Sequence, residues 1–273
     1  PEILRARFSL ALSLGLATLA VAGTTDTTRT LQKTSRATTT EPIAVVELFT
    51  SEACPSCPDA DRYLSYLERE ARTTGKKIFP LAFHVDYWSP PGRRDPLSAI
   101  EHHERQRDYV EAMGLDGAYT PQMIVNGTTE FVGSERETAS RAIAAALSRA
   151  ASVGVRLESV RRERSGAITV EVNVGNAPRG TVLNVAVVER GLRPRSGSGG
   201  MTYANVVRSF QTVRIAPGGK HSVQLTPPAT VVPENCSIIA YVQDTSMAVL
   251  GAAARDLQPP PVTAGQVLNQ PRE

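Results

Sequence analysis

Cys54 and Cys57 stand three positions apart in the sequence Cys-Pro-Ser-Cys, between an apolar run and an amphipathic segment. The run over residues 43–49 is almost entirely apolar, which predicts a central β-strand that is covered on both faces. Residues 59–71 carry apolar side chains at helical spacing, which predicts an α-helix that begins just after the second cysteine. The motif is therefore expected between the end of a strand and the start of a helix.

This spacing suits dithiol chemistry. The two intervening residues, Pro55 and Ser56, let the sulfur atoms approach bonding distance, and a Cys54–Cys57 disulfide is predicted. A helix N-terminus offers unpaired N–H groups and the positive end of its dipole, which favour a thiolate. We expect Cys54 to be the attacking thiol at the open edge of the site and Cys57 to be the more buried resolving thiol.

Two other uses of the motif stay open. A zinc site needs two further ligands, and the third cysteine, Cys236, has no second cysteine near it in the sequence. No metal and no cofactor are therefore predicted. An inert structural disulfide needs only the pairing itself, and the motif alone does not distinguish it from a redox-active one.

The first residues indicate export. Arg5 and Arg7 precede an apolar run over residues 8–21, and small residues at 20–22 fit a signal-peptidase site. Residues 1–22 are predicted to be a signal peptide, and the threonine-rich residues 23–41 a disordered linker. The protein is expected to be periplasmic or secreted, with no membrane association once the signal is cleaved.

The 273 residues suggest about two domains. After the first strand and helix, the pattern predicts a strand over 78–85, a helix over 97–113, a hairpin over 121–132 and a helix over 136–151. This order predicts an α/β thioredoxin-like domain, βαβαββα, over residues 42–152. The formal net charge of +3 is too small to indicate a nucleic-acid partner.

The character of the chain changes at about residue 153. From there on, seven short strand-like runs are separated by glycine- and proline-rich turns. The runs cover residues 155–160, 168–174, 182–189, 203–215, 222–225, 237–243 and 248–254. They predict an all-β sandwich-like domain over residues 153–256, and residues 257–273 are predicted to be a flexible tail.

The third strand of the first domain opens with Thr120 and Pro121. The element order places this proline opposite the dithiol, and a cis peptide bond before it is predicted there, although cis bonds are rare elsewhere. We expect Pro121 to belong to the catalytic site, where it shapes the groove for a partner, and Thr120 to line that site.

Three polar or aromatic residues lie at the end of the second strand or just after it, namely His84, Asp86 and Trp88. Functional groups gather at the carboxyl ends of strands in open α/β sheets, so these residues are candidate neighbours of the cysteines. Each also has a structural interpretation, as a hydrogen-bonded strand histidine, a loop cap and a packing aromatic. Glu47 points to the other face of its strand by alternation, so we expect it to form a structural ion pair.

The sequence resembles a family known as domain of unknown function 1223. The resemblance is carried by residues 47–61 around the cysteines, by 84–88, by 119–123 and by Asn205-Val-Val-Arg208. It implies a secreted protein with a thioredoxin-like fold and a C-terminal β domain, but it implies no reaction. Two positions depart from the family pattern: Ala53, where the family often has glycine, and Tyr203, where it has histidine.

Three functions are compatible with these features. The first is a thiol-disulfide oxidoreductase that acts on protein or small-molecule thiol and disulfide clients. The second is a copper chaperone or sensor, in which the two thiols and His84 would bind copper. The third is a non-catalytic binding module with a structural disulfide, for which residues 205–208 are the surface candidate. The oligomeric state is not predicted.

Overall fold

The computed structural model describes residues 40–88, 94–195 and 201–257. These residues contain three α-helices, α1 (Pro58–Thr74), α2 (Ile100–Met113) and α3 (Arg136–Leu147). They also contain eleven strands: β1 (Ala44–Thr50), β2 (Ile78–His84), β3 (Gln122–Val125), β4 (Thr129–Val132), β5 (Val155–Arg162), β6 (Ile168–Val174), β7 (Val182–Glu189), β8 (Val206–Arg214), β9 (Gly219–Leu225), β10 (Cys236–Gln243) and β11 (Val249–Asp256). The predicted signal peptide, nearly all of the predicted linker and all but the first residue of the predicted tail lie outside the described residues.

The individual elements agree with the sequence patterns. Up to Leu147 the order is strand, helix, strand, helix, strand, strand, helix, and each of the seven later strand-like runs is a strand. Gly75 ends α1 in the left-handed conformation, at φ 73°, and its N–H donates to the carbonyl of Ala71. α2 begins later than expected because Asp95 holds the residues before it in a turn, accepting from the N–H of Leu97.

The predicted fold class, a thioredoxin-like βαβαββα domain followed by a separate β-sandwich, is wrong. Eight strands from both parts of the chain form one mixed sheet in the order β11-β10-β7-β8-β2-β1-β3-β4. β2 is parallel to both β1 and β8, and the other neighbours in this sheet are antiparallel. Only β5, β6 and β9 form the second sheet among the described residues. The boundary at residues 152 and 153 stays a prediction.

The large sheet is continuous because β8 covers the free edge of β2. All seven residues of β2 are buried, and an apolar strand of this kind is unsuited to an exposed edge. The N–H of Ala82 donates to the carbonyl of Asn205 at 2.9 Å, and Ala82 is paired with Val206. Asn205 adopts φ 48°, which asparagine tolerates, and its side-chain amide donates to the carbonyl of Pro80. The segment 205–208 therefore lies at the contact between β8 and β2, with Val206 and Val207 buried, and it presents little surface for a partner.

Three apolar clusters hold these layers together. Helices α1 and α3 cover one face of the β1 region, including Leu48, and α2 covers the opposite face, including Phe49. The three-stranded sheet packs its apolar side chains, such as Val170, against alternate residues of β7 and β10. Burial of these apolar surfaces is the main stabilising contribution.

The parallel pairing of β1 and β2 brings their carboxyl ends together. Thr50 at the end of β1 lies opposite His84 at the end of β2. The chain then turns through Ser51 and the cysteine motif into α1, so the motif and the end of β2 share one edge of the sheet. No helix among the described residues is long and apolar enough to cross a membrane.

Candidate functional site

Cys54 and Cys57 form a disulfide at the start of α1, as predicted. Cys57 is the N-cap residue, and the helix begins at Pro58, which has no N–H to leave unpaired. The expected open position of Cys54 is not found. Cys54 is only 2% exposed and Cys57 is fully buried, whereas Pro55 and Ser56 between them are exposed. The disulfide itself is therefore shielded from solvent.

Thr120 connects the disulfide to the only tryptophan of the chain. The Thr120 hydroxyl donates to Sγ of Cys54 at 3.2 Å and accepts from Nε1 of Trp88 at 2.6 Å. The peptide bond between Thr120 and Pro121 is cis, in agreement with the sequence prediction. Thr120 thus contacts the sulfur of Cys54 directly, with Trp88 bound to Thr120 and Pro121 next to it in the chain, and Ser56 adds its Oγ at 3.5 Å from that sulfur.

His84 lies in a buried polar cluster with Asp95. Its Nδ1 is 2.8 Å from Oδ2 of Asp95, and neither side chain reaches solvent. A carboxylate can only accept, so Nδ1 carries the proton and donates it to this bond. Nε2 of His84 is buried and has no hydrogen-bond partner among the described residues, while the ring packs edge-on against Tyr203 at 4.9 Å between centroids.

The Asp95 carboxylate also holds the segment that leads into the cysteine motif. It accepts from the N–H of Glu52 at 2.8 Å and from the hydroxyl of Ser51 at 3.3 Å. Burial alone would raise the pKa of Asp95, but the hydrogen bond and charge of His84, with the backbone donors, outweigh burial and lower the pKa below its ordinary value. Asp95 is therefore an ionised acceptor that positions both His84 and the approach to Cys54.

Asp61 is a second buried carboxyl near the disulfide. It lies one helical turn after Cys57, since its N–H donates to the Cys57 carbonyl at 3.1 Å. The Thr50 hydroxyl donates to its Oδ1 at 2.9 Å. Burial raises the pKa of Asp61 to about 6, against the opposing effects of His84 and of this hydrogen bond. A carboxyl that titrates near neutral pH at a helix start can exchange protons with its surroundings.

The other predicted site residues have different environments. Asp86 lies 3.3 Å from Nδ1 of His103 on α2, and both side chains are partly exposed. Its ion pair among the described residues is therefore with α2. Trp88 is 37% exposed and lies over Thr120, which agrees with its predicted place beside the site.

Glu47 forms the structural ion pair that strand alternation predicts. Its carboxylate accepts two hydrogen bonds from Arg105 of α2, at 2.6 and 2.8 Å, and a third from the Tyr109 hydroxyl. Burial alone would lower the pKa of Arg105, but Glu47 and the hydroxyls of Tyr109 and Tyr241 outweigh it and hold the pKa above its ordinary value. This pair lies on the α2 face of the sheet, opposite the face that α1 covers.

Sequence reasoning did not identify Thr50, Asp61 and Asp95 as members of the site. For Asp61 a signal exists, because it follows Cys57 by four positions and so shares the buried side of the helix with it. For Asp95 no local signal exists, because its partner His84 is eleven residues away across a loop of prolines and arginines.

The described residues contain no group of three or more His, Cys, Asp and Glu side chains that could hold a metal ion. Cys236 is a free and buried cysteine at the start of β10, and burial raises the pKa of its thiol to about 12. It is therefore protonated and inaccessible in the folded chain, which makes it a poor nucleophile.

Comparisons with known proteins identify relatives of the chain. The family model described as "Protein of unknown function (DUF1223)" matches residues 45–243. Protein AGR_C_4864 from Agrobacterium tumefaciens, known from a crystal structure, is 32% identical over 78% of this chain and 94% of that chain, with a TM-score of 0.57. HBP35 of Porphyromonas gingivalis covers 85% of this chain and 81% of its own, with a TM-score of 0.62 and 14% identity, a likeness of fold alone. No curated protein matches the chain.

Proposed function

This chain belongs to the DUF1223 family, whose name specifies no reaction, and we propose from its site that it is an exported thiol-disulfide oxidoreductase. It exchanges the Cys54–Cys57 disulfide with protein or small-molecule thiols. The observation that carries the proposal is the set of hydrogen-bonding and ionisable groups at the disulfide. Thr120 donates to the sulfur of Cys54, while His84 and Asp61 are buried at the same sheet edge.

A structural disulfide has no need of such groups. Burying a carboxyl and an imidazole costs free energy unless they are fully paired, and Nε2 of His84 lacks a partner among the described residues. Ionisable groups with shifted pKa values gather at functional sites more often than elsewhere. The raised pKa of Asp61, which lies one turn from Cys57, supports a site that moves protons.

Thiol-disulfide exchange at this site can oxidise or reduce a client. A client thiolate attacks Sγ of Cys54, the bond between Cys54 and Cys57 breaks, and Cys57 leaves as a thiolate that takes up a proton. A second client thiolate then attacks the client sulfur of the mixed disulfide, which oxidises the client and releases Cys54 as a thiol. The reverse sequence reduces a client disulfide and restores the Cys54–Cys57 bond.

Export is part of the proposal. Disulfides persist in oxidising compartments such as the periplasm and the extracellular space, and the predicted signal peptide over residues 1–22 agrees with such a location. The Cys54–Cys57 pairing supports this location in the described part of the chain.

The activity can be tested with insulin as the client disulfide. The purified protein should accelerate insulin reduction by dithiothreitol, and Cys54→Ser should abolish the acceleration. Cys236→Ser is the matched control, since this cysteine is buried and unpaired, and it should retain the activity. Equal rates for wild type and Cys54→Ser, or a disulfide that resists excess dithiothreitol, would overturn the proposal in favour of a structural disulfide.

A trapping variant identifies the client. In Cys57→Ser the resolving thiol is missing, so a client remains attached to Cys54 as a mixed disulfide. Such adducts should disappear when Cys54 is replaced as well, and adducts that persist would contradict the assigned role of Cys54.

A further inference from the structure

A groove of about 480 Å³ lies beside the middle turns of α1. Its walls come from α1, from the start of α3 and from the segment at residues 201–202. Ser65 of α1 joins two of these walls, because its hydroxyl donates to the carbonyl of Thr202 at 3.1 Å. We call this feature the arginine–tyrosine groove, after its lining residues Arg62, Tyr63, Tyr66, Arg69 and Arg136.

Two segments of the chain connect the groove with the region of the disulfide. Arg62 follows Cys57 by five residues, which is about 7.5 Å along the helix axis. On the other wall, Arg136 follows Gly133, whose N–H donates to the carbonyl of Pro121 at 2.8 Å. A Cβ atom at Gly133 would lie 3.1 Å from Cβ of Ala60, so the absence of a side chain lets the start of α3 approach α1.

The groove carries a marked positive charge. Three of the described lining residues are arginines and none is acidic. Arg62 is paired with Asp59 at 2.5 Å, but Arg69 and Arg136 are exposed and have no ion-pair partner among the described residues.

The exposed ring of Tyr66, stacked on the buried ring of Tyr63, gives the groove an aromatic surface between the arginines. Tyr63 and Tyr66 are stacked with centroids 6.0 Å apart, and Tyr66 is 50% exposed. The Arg136 guanidinium lies 5.8 Å from the centroid of Tyr63. The hydroxyl of Tyr63 is hydrogen-bonded to Ser140 at 3.1 Å, which keeps the ring in place. Aromatic and arginine side chains at a surface are typical of sites that bind protein partners.

We infer that the arginine–tyrosine groove is the docking surface for an acidic segment of the client protein, which presents a cysteine to Cys54. This inference rests on the proposed oxidoreductase function. We assign the occupant from charge complementarity. Arg69 and Arg136 have no ion-pair partner among the described residues, while Arg62 is paired with Asp59, so the groove favours carboxylates and disfavours lysines. The aromatic surface contributes apolar contact to the backbone and side chains of the same segment.

A binding experiment tests the groove without any redox step. The probes are three fluorescent peptides of equal length in which a central serine is flanked by glutamates, glutamines or lysines. Oxidised wild-type protein should bind the glutamate peptide about five- to tenfold more tightly than the glutamine peptide, since each exposed ion pair contributes modestly. The preference should shrink as salt is added.

Charge-reversal variants locate the binding. Arg69→Glu and Arg136→Glu should each remove most of the preference for the glutamate peptide. Arg164→Glu is the matched control, because it makes the same change in net charge at an exposed position between β5 and β6 of the other sheet. If Arg164→Glu reduced the preference for the glutamate peptide as much as Arg69→Glu does, the preference would reflect only the net charge of the protein. That result would overturn the inference.

The same peptides with cysteine in place of serine separate this inference from the proposed function. Exchange with Cys54 that is faster for the glutamate peptide supports both. Exchange at equal rates for all three peptides would overturn the docking role of the groove but would still support the oxidoreductase function. If the glutamate peptide binds but does not exchange with Cys54, the proposed oxidoreductase function is wrong. The docking role of the groove, which rests on that function, is then wrong as well.

Discussion

Nδ1 of His84 donates a 2.8 Å hydrogen bond to Oδ2 of Asp95, and both side chains are completely shielded from solvent. Asp95 accepts from the backbone N–H groups of Glu52 and Leu97 as well. In Asp95→Asn, one oxygen becomes an NH₂ group that faces donors. We expect the free energy of unfolding to fall by about 3–5 kcal/mol, as for other broken buried pairs. Urea unfolding at neutral pH measures this loss.

Asp86→Asn is the matched control for Asp95→Asn. It removes the charge of a second Asp–His pair in the same region, with His103, but both partners are partly exposed. We expect it to cost less than about 1 kcal/mol, as exposed pairs do. Equal losses in the two variants would contradict the special role assigned to the buried pair.

Asp61 predicts a pH dependence of stability. Burial raises its pKa from 3.8 to about 6 in the folded chain. Between these values the unfolded chain releases the proton and the folded chain retains it, so stability falls as the pH rises through this range. The penalty should reach about 3 kcal/mol above pH 6, from 1.36 kcal/mol per unit of pKa shift. Asp61→Asn should remove this decline, as measured by urea unfolding at acidic and neutral pH.

Asp59→Asn is the control for the pH profile. Asp59 lies on the same helix, two residues before Asp61, but it is exposed and paired with Arg62. This variant should keep the wild-type decline of stability between pH 4 and 6. If the decline disappears in Asp59→Asn and persists in Asp61→Asn, the assignment to Asp61 is wrong.

Thr120 should assist the exchange at Cys54. Its hydroxyl donates to Sγ of Cys54, and the same contact would stabilise the negative charge on a Cys54 thiolate. Thr120→Val removes the hydroxyl with little change in shape, and we expect exchange with a small thiol to slow at least tenfold, since a hydrogen bond to a charged group contributes about 1.5–3 kcal/mol. Trp88 lies next to Thr120 and is the only tryptophan, so its fluorescence should follow the reaction.

Ser56→Ala provides the comparison for Thr120→Val. Ser56 is exposed and its Oγ lies at the longer distance of 3.5 Å from Sγ of Cys54. Its loss should slow the exchange by a factor of about three or less, since an exposed hydroxyl adds little. A larger effect for Ser56→Ala than for Thr120→Val would assign the assisting hydroxyl to Ser56 instead.

The parts of the structure that sequence could predict are those set by local signals. The strand before Cys54, the helix after Cys57 and the turn at Asn126 depend on residues close in sequence, and the structure has them. The face of the sheet on which Glu47 lies could also be predicted, because side chains alternate between the two faces along a strand.

The pairing of strands that are distant in sequence could not be predicted from local patterns. β2 pairs with β8 through Ala82 and Val206, which are more than a hundred residues apart, and an apolar run does not show which edge it will cover. The partner of His84 could not be predicted either, because Asp95 stands eleven residues further along the chain and no local pattern links the two. Fold class and site composition depended on these contacts, so the predicted fold class was wrong and the site was only partly predicted.

The ion pair of Glu47 and Arg105 offers a test of how the two parts of the chain unfold. Arg105 of α2 donates to Glu47 of β1 and also to the Tyr241 hydroxyl at 2.7 Å and to Gln243 at 3.1 Å, both on β10. The pair therefore connects the region before residue 152 with the region after it. We expect Arg105→Met to lower the free energy of unfolding by about 3–5 kcal/mol, because Glu47 is left buried without its partner.

Two probes can report the regions separately during this unfolding. Trp88 fluorescence reports the first region, and labelling of Cys236, which is buried when the chain is folded, reports the second. Because one sheet and one buried network span both regions, the two probes should change together in wild type, and both should shift by the same amount in Arg105→Met. Arg156→Met, which breaks an exposed pair with Glu158, should leave both transitions close to their wild-type positions. Two separate transitions in wild type would instead mean that the regions on either side of residue 152 are independently stable domains.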